Sequence, residues 1–142
     1  MNLPAKVEYA CIAVLELALQ FNSGEPVRLR AISETHGIPS PFLVQILLQL
    51  KAAGLVESTR GAAGGYRLTR DPVAVTLAEV KDIIEGHTGE VVSNLADETS
   101  ATRVLLEAWK RINDSERELL SDIDFGQLVE RVRGRTEKMY YI

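Results

Sequence analysis

Residues 29–54 read LRAISETHGIPSPFLVQILLQLKAAG, and residues 55–70 continue LVESTRGAAGGYRLTR. The first stretch predicts two helices around a tight turn. Leu29 and Ile32 face one side of a short helix from Leu29 to His36, and Gly37 stands where a left-handed cap ends it. The next helix covers 40–53, with Ser40 as expected N-cap and Pro41 at the first helical position, where a missing N–H costs nothing. It runs through Leu43, Ile46, Leu47 and Leu50 and stops at Gly54. Two helices joined by His36-Gly37-Ile38-Pro39 make a helix-turn-helix candidate. The second stretch changes period. Leu55 to Arg60 and Tyr66 to Thr69 read as strands joined by the flexible Gly61–Gly65 loop. A helix-turn-helix followed directly by a glycine-tipped hairpin is the order of a winged helix.

The flanks extend this unit. Residues 5–22 carry an apolar stripe at helical spacing (Val7, Val14, Leu17, Phe21) before Asn22-Ser23-Gly24 breaks it. Thr76 and Glu79 form a capping box that opens a helix ending at Gly86. Residues 87–99 are polar and aperiodic and read as a loop or sensor segment. A helix from about Ser100 to Ser121 follows, roughly 33 Å long at ~1.5 Å per residue. Its stripe is Leu105, Ala108, Ile112 and Leu119, widened by Trp109 and Leu120. A seam this long buries itself against a second copy or against the rest of its own chain. A last helix is expected from Asp124, its N-cap, to Arg133. The expected fold class is mainly α with a small β-hairpin wing. The expected division is a winged helix-turn-helix over 1–86, the segment 87–99, and a dimerisation helix with a C-terminal helix over 100–142.

Composition narrows the function classes. The 142 residues carry 16 basic and 20 acidic side chains, a net charge of −4. The total hides an asymmetry. Residues 1–75 sum to +1 and residues 76–142 to −5, and between Arg28 and Arg70 six basic residues face only Glu34 and Glu57. A basic segment ahead of an acidic half suggests a binding part and a different second part. One cysteine excludes an intrachain disulfide framework, so a reducing cytoplasm is the expected compartment. The most apolar early stretch, Tyr9 to Phe21, is too short and too charged to span a bilayer. One cysteine and two histidines cannot build a four-ligand zinc or iron–sulfur site. No Ser/His/Asp arrangement, Walker-type loop or paired carboxylates point to an enzyme.

Several stretches resemble the Rrf2 family of bacterial transcription regulators, which includes the IscR, NsrR and CymR types. They are Gly37-Ile38 before the Ser40-Pro41-Phe42-Leu43 helix start, Leu50-Lys51-Ala52-Ala53-Gly54-Leu55-Val56, and Arg60-Gly61-x-x-Gly64-Gly65-Tyr66-Arg67-Leu68. The match spans roughly the first 86 residues and continues more loosely through Leu106 to Val129, with Trp109 at a family-typical place. The resemblance implies a homodimeric regulator, a repressor, that sets one winged helix on each half of a palindromic double-stranded DNA operator. The long helix would form the interface through Leu105, Ala108, Trp109, Ile112 and Leu119. It implies that Gln45 contacts bases and that Arg60 enters the minor groove.

Physical chemistry supports these roles. Glutamine pairs with adenine through two hydrogen bonds, and an arginine suits a narrow minor groove. Gly64 and Gly65 would let the wing backbone approach phosphate. Ser40, with Pro41 at the helix start, would hold a phosphate or serve only as a cap. Arg28, Arg30, Lys51 and Arg67 would add counterion release, Lys51 being alternatively a solvated last-turn charge. Val44 stands where family members often carry glutamate, so operator preference does not transfer.

The best-known branches of the family bind an iron–sulfur cluster on three cysteines ahead of the long helix. Residues 90–100 here hold none, and Ser, Asn and Asp are poor substitutes for thiolate. No cofactor is expected, which aligns the chain with the cluster-free branch, whose members answer to a small molecule or a partner protein. Cys11 lies on the first helix's apolar stripe and reads as inert packing, with thiol oxidation as the alternative. The rival to DNA reading is a protein-interaction winged helix whose acidic half is a docking face.

Overall fold

The structure, a computed structural model, describes residues 1–87 and 89–140, with side chains placed up to residue 138. Six α-helices and one antiparallel hairpin make up the described residues. They are α1 (Ala5–Leu19), α2 (Leu29–His36), α3 (Ser40–Ala52), β1 (Val56–Thr59), β2 (Gly65–Leu68), α4 (Leu77–Glu85), α5 (Ser100–Asp122) and α6 (Phe125–Tyr140). The fold class is therefore the expected one.

The centre of the fold is α1, which packs against α3, α4, α6 and β2. Its small and branched residues Ala10, Ala13, Val14 and Leu17 are almost completely buried. Alanines on this face let neighbouring helices come close, and the leucine and valines fill the layer between them. The first helix ends at Leu19 rather than residue 22. A 3-10 turn over Phe21–Ser23 follows, closed by Gly24 at φ +70°. Gly37 (φ +67°) and Gly86 (φ +74°) end α2 and α4 in the same left-handed conformation.

One cap differs from expectation. Pro39, not Ser40, occupies the N-cap position of α3, and no side chain caps this end. The Ser40 hydroxyl lies 3.1 Å from that of Ser33, which itself donates to the Ile38 carbonyl at 2.6 Å. The turn between α2 and α3 is thus closed by Ser33. At α4 half of the capping box forms: Thr76 Oγ1 accepts from the Glu79 N–H at 3.2 Å, while the Glu79 carboxylate pairs with Arg70.

The hairpin pairs Val56 with Leu68 and Thr59 with Gly65. A bridge absent from the sequence reading ties it to the helices. Val27 and Tyr66 exchange both backbone hydrogen bonds at 2.8 Å, just ahead of α2. This contact explains Gly65, because a Cβ there would lie 2.5 Å from the Val27 carbonyl oxygen. A Cβ on Gly64 would collide with the Thr59 and Arg60 backbone. Both glycines therefore close the wing on its own chain, ahead of any role toward phosphate.

Residues 89–99 contain no helix or strand, as expected. The C-terminal helix is longer than the predicted 124–133 and starts under an Asp124 cap that accepts from the Gln127 N–H at 2.9 Å. It turns back onto the core. Phe125 is fully buried and Val129 nearly so, in one cluster with Leu17, Val75 and Val80. Backbone bonds from Leu77 N–H to Ile123 and from Phe125 N–H to Val75 fasten the α5–α6 junction to the start of α4.

The helix α5 contributes no fully buried residue. It leans on α4, where Arg117 donates twice to the Asp82 carboxylate at 3.0 and 2.9 Å. The Arg117 guanidinium beside Asp82 holds its carboxyl below the usual carboxylate range.

Two predictions follow from these contacts. Phe125→Ala should lower unfolding stability by about 3–5 kcal/mol in urea titrations, as for a fully buried aromatic. A loss well under ~1 kcal/mol would mean that α6 is not part of the core. Asp82 is depressed in the folded state, so its stabilisation is full above the unfolded value near ~3.9 and fades as pH falls through the lower folded value. Asp82→Asn should therefore melt below wild type at pH 7, and the gap should close as the pH drops beneath about 4. A gap independent of pH would contradict the assignment.

Candidate nucleic-acid interface

Four leucines and isoleucines set the phase of α3. Leu43, Ile46, Leu47 and Leu50 are fully buried. The opposite side of the helix, carrying Pro41, Val44, Gln45, Leu48 and Lys51, is exposed. Gln45 is the amide on this outer face. Gln49, one turn on, is half-buried with its Oε1 enclosed and unbonded among the described residues.

Helix and wing are joined at two places. Lys51 Nζ donates to Ser58 Oγ on β1 at 2.7 Å, which makes Lys51 more than a free last-turn charge. The Val27–Tyr66 bridge places Arg28, which precedes α2, beside the start of β2, next to the wing loop. Arg60 follows β1 at the wing tip, exposed and without an ion-pair partner among the described residues.

The basic segment is less free than its composition implies. Arg67 Nε donates to Glu57 across the hairpin at 2.7 Å, and its guanidinium also reaches the Gly24 carbonyl at 3.2 Å. Arg30 pairs with Glu34 one turn away at 2.7 Å, and Arg70 pairs with Glu79. Among the described residues Arg28, Lys51 and Arg60 have no acidic partner, and they lie on elements tied together by the two contacts above. Arg67 thus braces the wing. Ser40 is exposed at the α3 start, but Pro41 has no N–H and the Phe42 N–H is bonded to the Pro39 carbonyl. Few free donors remain there for a phosphate.

The expected interface residues of α5 are solvent-exposed in the single chain. Trp109 is 54% and Ile112 56% exposed, with Leu105, Ala108 and Leu119 exposed beside them. Val104, Val92 and Leu95 extend the apolar surface. Between the 92–95 stretch and α5 lies an open groove of about 470 Å³ lined by Val92, Leu95, Thr102, Leu105 and Leu106. Packing within the chain does not cover this seam.

Sequence reasoning missed Val27, Leu48 and the Asp82–Arg117 joint. The signal for Leu48 was available, since it is an apolar residue off the buried row. The other two depend on partners 39 and 35 positions apart in sequence, which no local pattern reveals.

Comparison with known proteins identifies the family and the fold. The Rrf2 family model, described as an iron-dependent transcriptional regulator, matches residues 3–131. The HTH-type transcriptional regulator CymR of Bacillus subtilis is 35% identical over 143 residues, covering 100% of both chains. An HTH-type transcriptional regulator IscR from Cereibacter sphaeroides is 34% identical, covering 80% of this chain and 77% of that one. Among solved structures, CymR of B. subtilis, titled the global cysteine regulator, superposes with a TM-score of 0.80 at 33% identity, over 92% of this chain and 98% of that one. IscR of T. potens gives 0.76 at 29% identity, over 93% and 88%.

The iron in the family's description can be tested against the donors present. Residues 90–100 offer no thiolate. No group of three His, Cys, Asp or Glu side chains among the described residues could hold a metal ion. Cys11 lies on α1 against the core, and burial pushes its thiol up to about 11. It is a neutral thiol at physiological pH, suited to packing and poorly suited to ligation or oxidation. The donor set does not fit an iron–sulfur cluster. In sequence, in fold and in the arrangement of helix and wing, the chain belongs to the Rrf2 family of transcriptional regulators.

Proposed function

We propose that this regulator is a cluster-free homodimer that binds a palindromic DNA operator and represses transcription in the cytoplasm. The observation that carries the reading is the outer face of α3. Gln45 stands exposed there, opposite a fully buried row and next to a wing whose Arg60 has no acidic partner among the described residues.

In this mechanism α3 enters the major groove and the Gln45 amide pairs with an adenine edge. Arg60 enters the flanking minor groove, where a narrow groove strengthens the negative potential. Arg28 and Lys51 hold phosphates and fix the register, while the Ser40 hydroxyl stays bonded to Ser33 at the turn. Arg67, with Gly64 and Gly65, keeps the wing in shape for that contact. The apolar seam of α5, centred on Trp109 and Ile112, pairs with its copy, so that two reading heads face two half-sites. The acidic second half keeps the dimerisation surface away from the DNA backbone. The activity is recognition and not catalysis. With no cluster to report a signal, the effector is a small molecule or a partner protein.

The rival reading, a protein-interaction module, needs scattered charges. Among the described residues, ion pairing leaves Arg28, Lys51 and Arg60 without an acidic partner on mutually tied elements, which favours DNA.

The test is a binding titration against duplexes selected from a randomised pool, at two salt concentrations. Arg60→Ala should weaken binding and reduce the slope of log K against log[salt] by about one. Gln45→Ala should relax base preference at one position per half-site, a discrimination of about 1–3 kcal/mol. Unchanged affinity and slope in Arg60→Ala would remove the wing from the account.

A further inference from the structure

We propose that Leu48 and Val44 read thymine methyl groups beside the adenine read by Gln45, which makes them specificity-determining residues. The proposal rests on the DNA-reading role above and adds the base chemistry that role leaves open. Leu48 is 55% and Val44 41% exposed, on a helix whose other large aliphatic residues are completely buried. At about 100° per residue, Leu48 lies roughly 60° and Val44 roughly 100° round the helix from Gln45, both to the same side. Lys51 lies one turn beyond Leu48 and two beyond Val44 on that side, and its bond to Ser58 identifies it as the side facing the wing. Phe42 occupies the other flank, where its ring sits 6.5 Å from that of Tyr9 on α1.

The apolar strip is therefore continuous with Gln45 and bounded on the wing side by Lys51, which has no acidic partner among the described residues. That frame fits a polyanion with apolar points set into it. The major groove offers one apolar group, the thymine C5 methyl. Leu48 is displaced from Gln45 by about 4.5 Å along the helix axis, close to one base-pair step of ~3.4 Å. A glutamine that takes an adenine and a leucine that covers a neighbouring thymine methyl would together select an A·T-rich core in each half-site.

The experiment replaces single thymines by deoxyuridine in the duplex selected by wild-type protein, which removes one methyl and keeps the base-pairing edge. At one or two positions per half-site, next to the position relaxed by Gln45→Ala, affinity should fall about fourfold. That fold-change corresponds to ~0.8 kcal/mol for one buried methyl. Leu48→Ala should bind more weakly, keep the wild-type salt slope and lose the response to deoxyuridine at one of these positions. Val44→Ala should lose it at the other. Because both side chains are exposed, the variants should melt with wild type. If the wild type binds its duplex with a full salt slope and no thymine replacement changes affinity, the inference is wrong while the DNA-reading role stands. Undiminished sensitivity in both alanine variants overturns it equally. If no duplex is enriched from the pool, the DNA-reading role fails and takes the inference with it.

Discussion

Burial of one side of α3 is the constraint on which the rest depends. Leu43, Ile46, Leu47 and Leu50 have no exposed surface, and α1, α4 and β1 pack around the helix that carries them. Rotating α3 by one residue would expose part of this row and bury Gln45, an amide with no partner inside. Removing a large aliphatic side chain from such a row costs about 2–5 kcal/mol, and a buried unpaired amide adds to that cost. The hydrophobic core thus decides which atoms the reading helix offers outward.

The wing is held by a different kind of interaction. A four-residue hairpin pair has little core of its own, and isolated two-stranded hairpins are marginal in water. Here the Val27–Tyr66 backbone pair, the Lys51–Ser58 bond and the Arg67–Glu57 pair connect it to the segment ahead of α2, to α3 and across itself. The result is a short, braced arm with Arg60 near its tip. At the other end of the chain α5 is held differently again. Its main polar joint is Asp82–Arg117, and its apolar seam stays outside the core. The bidentate ion pair ties α5 to α4, and α4 in turn packs on α3.

Much of this was legible in the sequence, and what was not has a physical reason. The bounds of α2, the period change at residue 55, the glycine loop, the Thr76 cap and the α5 stripe are local signals and appear where the residues place them. The Ser40 cap was displaced because Pro39 can sit at the boundary and Ser33 already closes the turn. The α6 extension was missed because the residues beyond 133 are charged and lack a strong period, although Phe125 and Val129 anchor the helix start in the core. Charge counting recognised a basic segment. It could not see that Glu34, Glu57 and Glu79 neutralise three of its arginines, because that depends on register and packing. The candidate interface residues fared likewise: the family resemblance pointed to Gln45 and Arg60, whereas the geometry gave Arg67 and Gly65 structural work and left Leu48 and Val44 exposed on the outer face of α3.

The central claim is that each chain supplies half of a two-headed DNA reader, joined through the α5 seam. Hydroxyl-radical footprinting of the wild-type protein on its selected duplex tests this most directly. The account predicts two protected stretches on one face of the duplex, related by a dyad and separated by whole helical turns of about 10 base pairs. A single protected half-site, or uniform protection without a dyad, would contradict it.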